Sequence, residues 1–194
     1  MIDYFSGIHP EFGKKYDVVN DIVITPFWTE DFCDKMLAMS KFYDDRFVQD
    51  DYTADLHWWK VSGFLFADYA FHYKKSVVPF LMRIYDGIHF SGITSPYVVR
   101  HRVGQSTKLH HDISKVTLSV KLNNDYQGGE IVFPRQKFSN KDIPIGHALF
   151  WPGDVTHPHK ITPVVSGTKY TIVGFTLPTK SDNTPNNTIM FNEI

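Results

Sequence analysis

Residues 110–122, HHDISKVTLSVKL, and residues 147–177, HALFWPGDVTHPHKITPVVSGTKYTIVGFTL, carry the reading on which the rest of the chain depends. Both contain short runs of β-branched and aromatic residues. Turn chemistry lies around and between them, at Asn123-Asn124-Asp125, Gly128-Gly129 and Pro152-Gly153-Asp154. That combination predicts several short strands rather than helices. Working outward, strands are expected at 97–103, 116–122, 130–133, 148–151 and 170–177, at the spacing of a sandwich or jelly roll.

Upstream the periodicity changes. Val18, Val19, Ile22, Val23 and Ile24 suggest an opening strand. Thr29 can cap a helix whose first turn holds Glu30 and Asp31 and whose apolar face is Phe32, Met36, Met39 and Tyr43. A second helical region is expected over 66–85, with Pro79 kinking or restarting it and Gly87 ending it. Tyr52, Trp58, Trp59, Phe64 and Phe66 read chiefly as core, with a cover over a substrate as the other possibility. The expected class is α+β, mainly β. A single domain over 1–180 has a helical or mixed part, 1–96, packed on one face of a jelly-roll core, 97–177. The polar, turn-rich stretch 181–194 is expected to be a loosely held tail.

The chain has 194 residues, 20 basic against 21 acidic side chains, a net charge of -1 and 42% apolar residues. That length suits one domain, and the near-neutral charge gives no basic field for nucleic acid. No apolar run approaches the roughly 20 residues that cross a bilayer, so no membrane partner is expected. MIDYFSGIHPEF lacks the basic and then apolar pattern of a secretory leader, from which a cytoplasmic location is expected. The one cysteine, Cys33, reads as a small core residue.

Six of the ten histidines fall between 101 and 159. Residues two apart on a strand share a face, so His110 and Asp112 can reach one ion. His159 ends the run WPGDVTHPH and supplies a third donor. Two imidazoles and a carboxylate form a facial triad that leaves positions open and suits ferrous iron, with zinc also chemically allowed. His157 competes with His159 for the third place.

The runs HHDISKVTLSVKLN, DYQGGEIVFP and PIGHALFWPGDVTHPHKITPVVSGTKYTIVGF resemble the catalytic core of the 2-oxoglutarate oxygenases that hydroxylate prolyl and lysyl side chains, over about residues 97 to 177. The resemblance implies a double-stranded β-helix and a metal held by His110, Asp112 and His159. In that family the distal histidine stands four residues before a proline and about ten before a cation that binds the far carboxylate of 2-oxoglutarate. Pro163 and Lys169 meet both relations from His159 and neither from His157. Thr171, two further on, would share the face of Lys169. His101 stands where prolyl hydroxylases commonly have a cosubstrate tyrosine, and Ile131 where they often have threonine.

The implied reactants are Fe(II), 2-oxoglutarate and O2, with ascorbate as an auxiliary reductant. The products are succinate, CO2 and a hydroxylated prolyl or lysyl side chain of a peptide or protein. Retention of Asp112 favours hydroxylation over halogenation. The alternatives are hydroxylation of a free amino acid or small metabolite, a non-catalytic metal- or sugar-binding module on the same scaffold, and a metal-dependent hydrolase. No oligomeric state follows from the sequence.

Overall fold

The structure, a computed structural model, describes residues 7–50, 52–177 and 187–193. The hairpin β1 (Asp17–Val19) and β2 (Ile22–Pro26) leads to α1 (Glu30–Phe42). Thr29 caps α1 as expected, its hydroxyl accepting from the Phe32 amide at 3.3 Å, and the helix buries Phe32, Cys33 and Met36. A second hairpin, β3 (Val48–Gln49) and β4 (Ala54–His57), precedes the short α2 (Trp58–Val61).

The helix expected over 66–85 forms in pieces: α3 (Gly63–His72), a π-helical turn at Tyr73–Val77, and α4 (Val78–Ile84). Pro79 stands in the first turn of α4, which follows the π-helical turn without a break; it has no N–H to donate to the turn before it, and the wider π turn lies where that bond is lost. Of the aromatic residues before it, Trp58 and Phe66 are core while Trp59 and Phe64 are exposed.

The second half is β throughout. It contains β5 (Gly92–Thr94), β6 (Tyr97–His101), β7 (Val116–Lys121), β8 (Tyr126–Gly128) and β9 (Ile131–Phe133). These are followed by β10 (Phe138–Ser139), β11 (His147–Pro152), β12 (Lys160–Ile161), β13 (Val164–Gly167), β14 (Lys169–Leu177) and β15 (Thr188–Met190). The large sheet runs β1-β2-β11-β7-β14-β6-β4-β3, with β5 and β15 joined at the end of β14. A smaller sheet, β10-β9-β12, and the pair β13-β8 complete the jelly roll. The polar tail expected at the C-terminus is corrected in part. Residues 181–186 lie outside the described residues, but β15 pairs with β5, and Met190 and Phe191 are buried, because the final apolar residues add to the core.

Alternation along the central strands sorts their side chains onto two faces. Leu118, Val120 and Ile172 face the helices, in one core with Met36, Phe66, Tyr69 and Leu81. Thr117, Ser119, Lys169, Thr171 and Val173 take the opposite face, where Ile131 of β9 and Ile161 of β12 roof a cavity of about 130 Å³. The helices thus bury one side of the sheet, and the polar residues of its other side line a pocket.

Candidate active site

His110 and His159 form an isolated antiparallel bridge, each amide donating to the other's carbonyl at 3.0 and 2.8 Å. The bridge places their rings 4.5 Å apart. Nδ1 of His110 lies 2.8 Å from the Lys108 carbonyl and Nδ1 of His159 lies 3.0 Å from the His157 carbonyl. A carbonyl only accepts, so both Nδ1 atoms carry the proton and both Nε2 atoms present a lone pair. Burial lowers the pKa of His159, which favours this neutral form.

Asp112 lies between the two lone pairs. Its Oδ1 is 3.8 Å from His110 Nε2 and its Oδ2 is 3.6 Å from His159 Nε2. The three donor atoms lie within 4.8 Å of one another. Oδ2 also accepts from the Thr117 hydroxyl at 2.8 Å and the Trp151 indole at 3.2 Å, which fix the carboxylate on the cavity side. Two imidazoles and one oriented carboxylate are the donor set that suits a ferrous ion, and they are near enough to one another to hold one together. His157 is not a rival: its ring nitrogens contact the Thr156 hydroxyl at 2.9 Å and the Asn20 carbonyl at 3.0 Å.

Lys169, Thr171 and His101 line the same cavity as these three residues. Lys169 opens β14 opposite His101 of β6 and is 1% exposed. Burial, and then the like charge of Lys121, push its pKa down to about 7. The Thr171 hydroxyl and both ring nitrogens of His101 have no hydrogen-bond partner among the described residues. Such orphaned polar atoms at a cavity wall are positions for a polar ligand. Burial and the nearby Lys169 ammonium hold His101 at about 3, neutral, with one ring nitrogen to donate and one to accept.

Residues 96–177 match the family described as the 2OG-Fe(II) oxygenase superfamily. This stretch belongs to that superfamily. The procollagen lysyl hydroxylase and glycosyltransferase of Acanthamoeba polyphaga mimivirus is 29% identical over 197 aligned residues, covering 87% of this chain and 22% of that protein. The human multifunctional procollagen lysine hydroxylase and glycosyltransferase LH3 is 30% identical over 177 residues, covering 81% and 24%. The chain therefore spans less than a quarter of the length of these relatives. Among solved structures, the collagen prolyl hydroxylase of Paramecium bursaria Chlorella virus-1, as its 2OG complex, superposes with a TM-score of 0.62 at 19% identity over 86% of this chain and 96% of that one. A Pseudomonas putida prolyl-4-hydroxylase gives 0.63 at 13% identity over 82% and 94%. The shared fold is the jelly roll expected from the sequence.

Several residues that line this cavity escaped the sequence reading. Thr117 and Trp151 read as ordinary strand residues, yet they hold Asp112. Thr117 could have been found by counting inward positions along β7, since it alternates with Leu118 as Ser119 does with Val120. Tyr97 and Asp55 also line the pocket. Asp55 comes from β4, upstream of the matched stretch, and no local signal turns it inward.

Proposed function

We propose that this chain is an Fe(II)- and 2-oxoglutarate-dependent oxygenase that hydroxylates a lysyl or prolyl side chain in a peptide or protein, with 2-oxoglutarate going to succinate and CO2. The observation that carries this reading is one cavity in which His110, Asp112 and His159 converge and whose wall holds the buried cation Lys169. A structural zinc site needs no such cation, and a hydrolase has no role for one facing the metal.

When bound there, iron and 2-oxoglutarate supply the activation of O2. The chain holds and orients. His110, Asp112 and His159 would occupy one face of the ion and leave the remaining positions to ligands. Lys169 would take the far carboxylate, regaining in that pair the charge that burial suppresses, and Thr171 and His101 would add hydrogen bonds to the cosubstrate. Ile131, Ile161, Val173 and Phe175 give the pocket apolar walls that keep bulk water from the reacting centre. Ascorbate belongs to this reading as the reductant that would rescue oxidised iron.

A peptide is favoured over a free amino acid by the mouth of the pocket. His110 is exposed there, and Leu109 and Ile113, which flank the run from His110 to Asp112, are 57% and 88% exposed, apolar surface that a bound chain would cover. The test is to incubate the iron-loaded protein with 2-oxoglutarate and lysine-bearing peptides, proline-bearing peptides or free amino acids. Succinate release and the mass gain of one oxygen atom are followed. Failure of 2-oxoglutarate to bind the metal-loaded protein would sink the proposal.

A further inference from the structure

Asp55 is a charged group in the pocket that the proposed chemistry does not use. In the large sheet it stands opposite Val99 of β6, which stands opposite Thr171 of β14, so Asp55 and Thr171 occupy one row across the sheet. Both side chains line the cavity that holds the metal donors. The Asp55 carboxylate accepts from the Thr53 hydroxyl at 3.2 Å, and no basic side chain lies within ion-pair distance of it among the described residues. Tyr97 lines the same cavity: burial raises the pKa of its hydroxyl, and the Asp55 and Asp112 carboxylates both add to the rise.

Charge balance makes the position informative. In the loaded pocket a ferrous ion and Lys169 would together offset the dicarboxylate of 2-oxoglutarate and Asp112, which leaves Asp55 as the one uncompensated anion. Burying an unpaired carboxylate is costly. Burial, and the like charge of Asp50, already push Asp55 up to about 6, with the Thr53 hydrogen bond opposing them. Its single hydrogen bond gives no reason for the charge, because an asparagine could accept from Thr53 equally well. A cationic substrate side chain supplies the reason, since an ammonium arriving beside Asp55 would be paired in a low-dielectric pocket where the attraction is strong. A prolyl ring would bury the carboxylate unpaired.

We propose that Asp55 receives the ammonium of the substrate side chain and so selects a lysyl over a prolyl residue. The proposal rests on the hydroxylase reading for its geometry, with the substrate's aliphatic stem passing the apolar Val99, Val173 and Phe175.

The test is calorimetric binding without O2, on the full chain loaded with Mn(II) and 2-oxoglutarate. The probes are three blocked pentapeptides differing only at the central residue: lysine, norleucine or proline. The wild-type protein is expected to bind the lysine peptide at least about tenfold more tightly than the other two, and Asp55→Asn to abolish that preference by weakening the lysine peptide alone. Equal affinity of the wild type for lysine and norleucine peptides would overturn the proposal without recourse to any variant. An unchanged preference in a folded Asp55→Asn protein would overturn it as well. Binding separates this outcome from the parent reading: a lysine preference that depends on Asp55, in a protein that makes no succinate with any peptide, would sustain the role of Asp55 and refute the hydroxylase.

Discussion

Lys169 ties stability to function. Its amine has its ordinary value of 10.5 in the unfolded chain and is held down to about 7 by burial in the folded pocket. Between these values the unfolded state holds the proton and the folded state does not, so this residue makes stability rise with pH across that window, and its burial penalty is largest at and below pH ~7. Lys169→Met keeps an unbranched side chain one atom shorter and removes the charge. The variant without ligand is expected to be more stable than the wild type by at least about 2 kcal/mol near pH 7, with the gain shrinking as pH approaches 10. The same variant should lose most of its affinity for 2-oxoglutarate, because the far carboxylate would face an apolar wall. Thermal melts across pH with and without 2-oxoglutarate check both halves, and a variant that kept the cosubstrate's stabilising effect would count against Lys169 as its partner. Asp112 depends on its neighbours in a comparable way. Thr117→Val keeps the shape and deletes the 2.8 Å hydrogen bond to Oδ2. Metal affinity, measured by competition with a chelator, is expected to fall about 10- to 100-fold with little change in the fold.

Two segments of chain, 112–117 and 151–156, are locked together at the level of elements, and their fit sets the position of Asp112. The Gly153 amide donates to the Lys115 carbonyl at 3.1 Å and the Asp154 amide to the Asp112 carbonyl at 2.6 Å. A Cβ on Gly153 would sit 2.1 Å from the Ser114 carbonyl oxygen. Backbone cannot yield as a flexible side chain can, so Gly153→Ala must push the 112–117 segment aside. It is expected to cost about 2 kcal/mol or more and to weaken metal binding as well, whereas a purely local defect would lower the melting temperature and leave metal affinity intact. The legibility of the elements divides along similar lines. β7 and β14 could be read because β-branched runs beside glycine and proline turns have few other outcomes, and because His159, Pro163 and Lys169 keep a fixed spacing. β4 could not be read. The stretch DDYTADLHWW has no period that separates an inward carboxylate from a solvated one, and the place of Asp55 in the large sheet depends on pairing with β6, more than forty residues away in sequence. The π-helical turn before Pro79 was also hidden, since helix periodicity alone marks a break without giving its geometry.

Over the whole molecule, the large sheet separates an oily layer from a polar one, and this division determines what a ligand can contribute to stability. The helix-facing core, which includes Val98, Leu118, Val120 and Ile172, is built of buried apolar side chains. The cavity face, by contrast, holds the buried amine of Lys169 and the polar atoms of His101 and Thr171, the latter two without partners among the described residues, so the fold bears the cost of these groups. A ligand that binds only the folded state adds RT ln(1 + [L]/Kd), about 2.7 kcal/mol at a hundredfold excess over Kd. For a chain of this size that corresponds to roughly 5–10 °C in melting temperature. Metal ion and 2-oxoglutarate added together without O2 are expected to exceed the sum of their separate effects, because the triad would hold the ion, Lys169 would hold the far carboxylate, and each component would favour binding of the other. Three melts, with ion, with 2-oxoglutarate and with both, would measure this. Strict additivity would mean that the triad and Lys169 bind separate ligands, and the single-pocket reading would then fail even if each ligand bound tightly by itself.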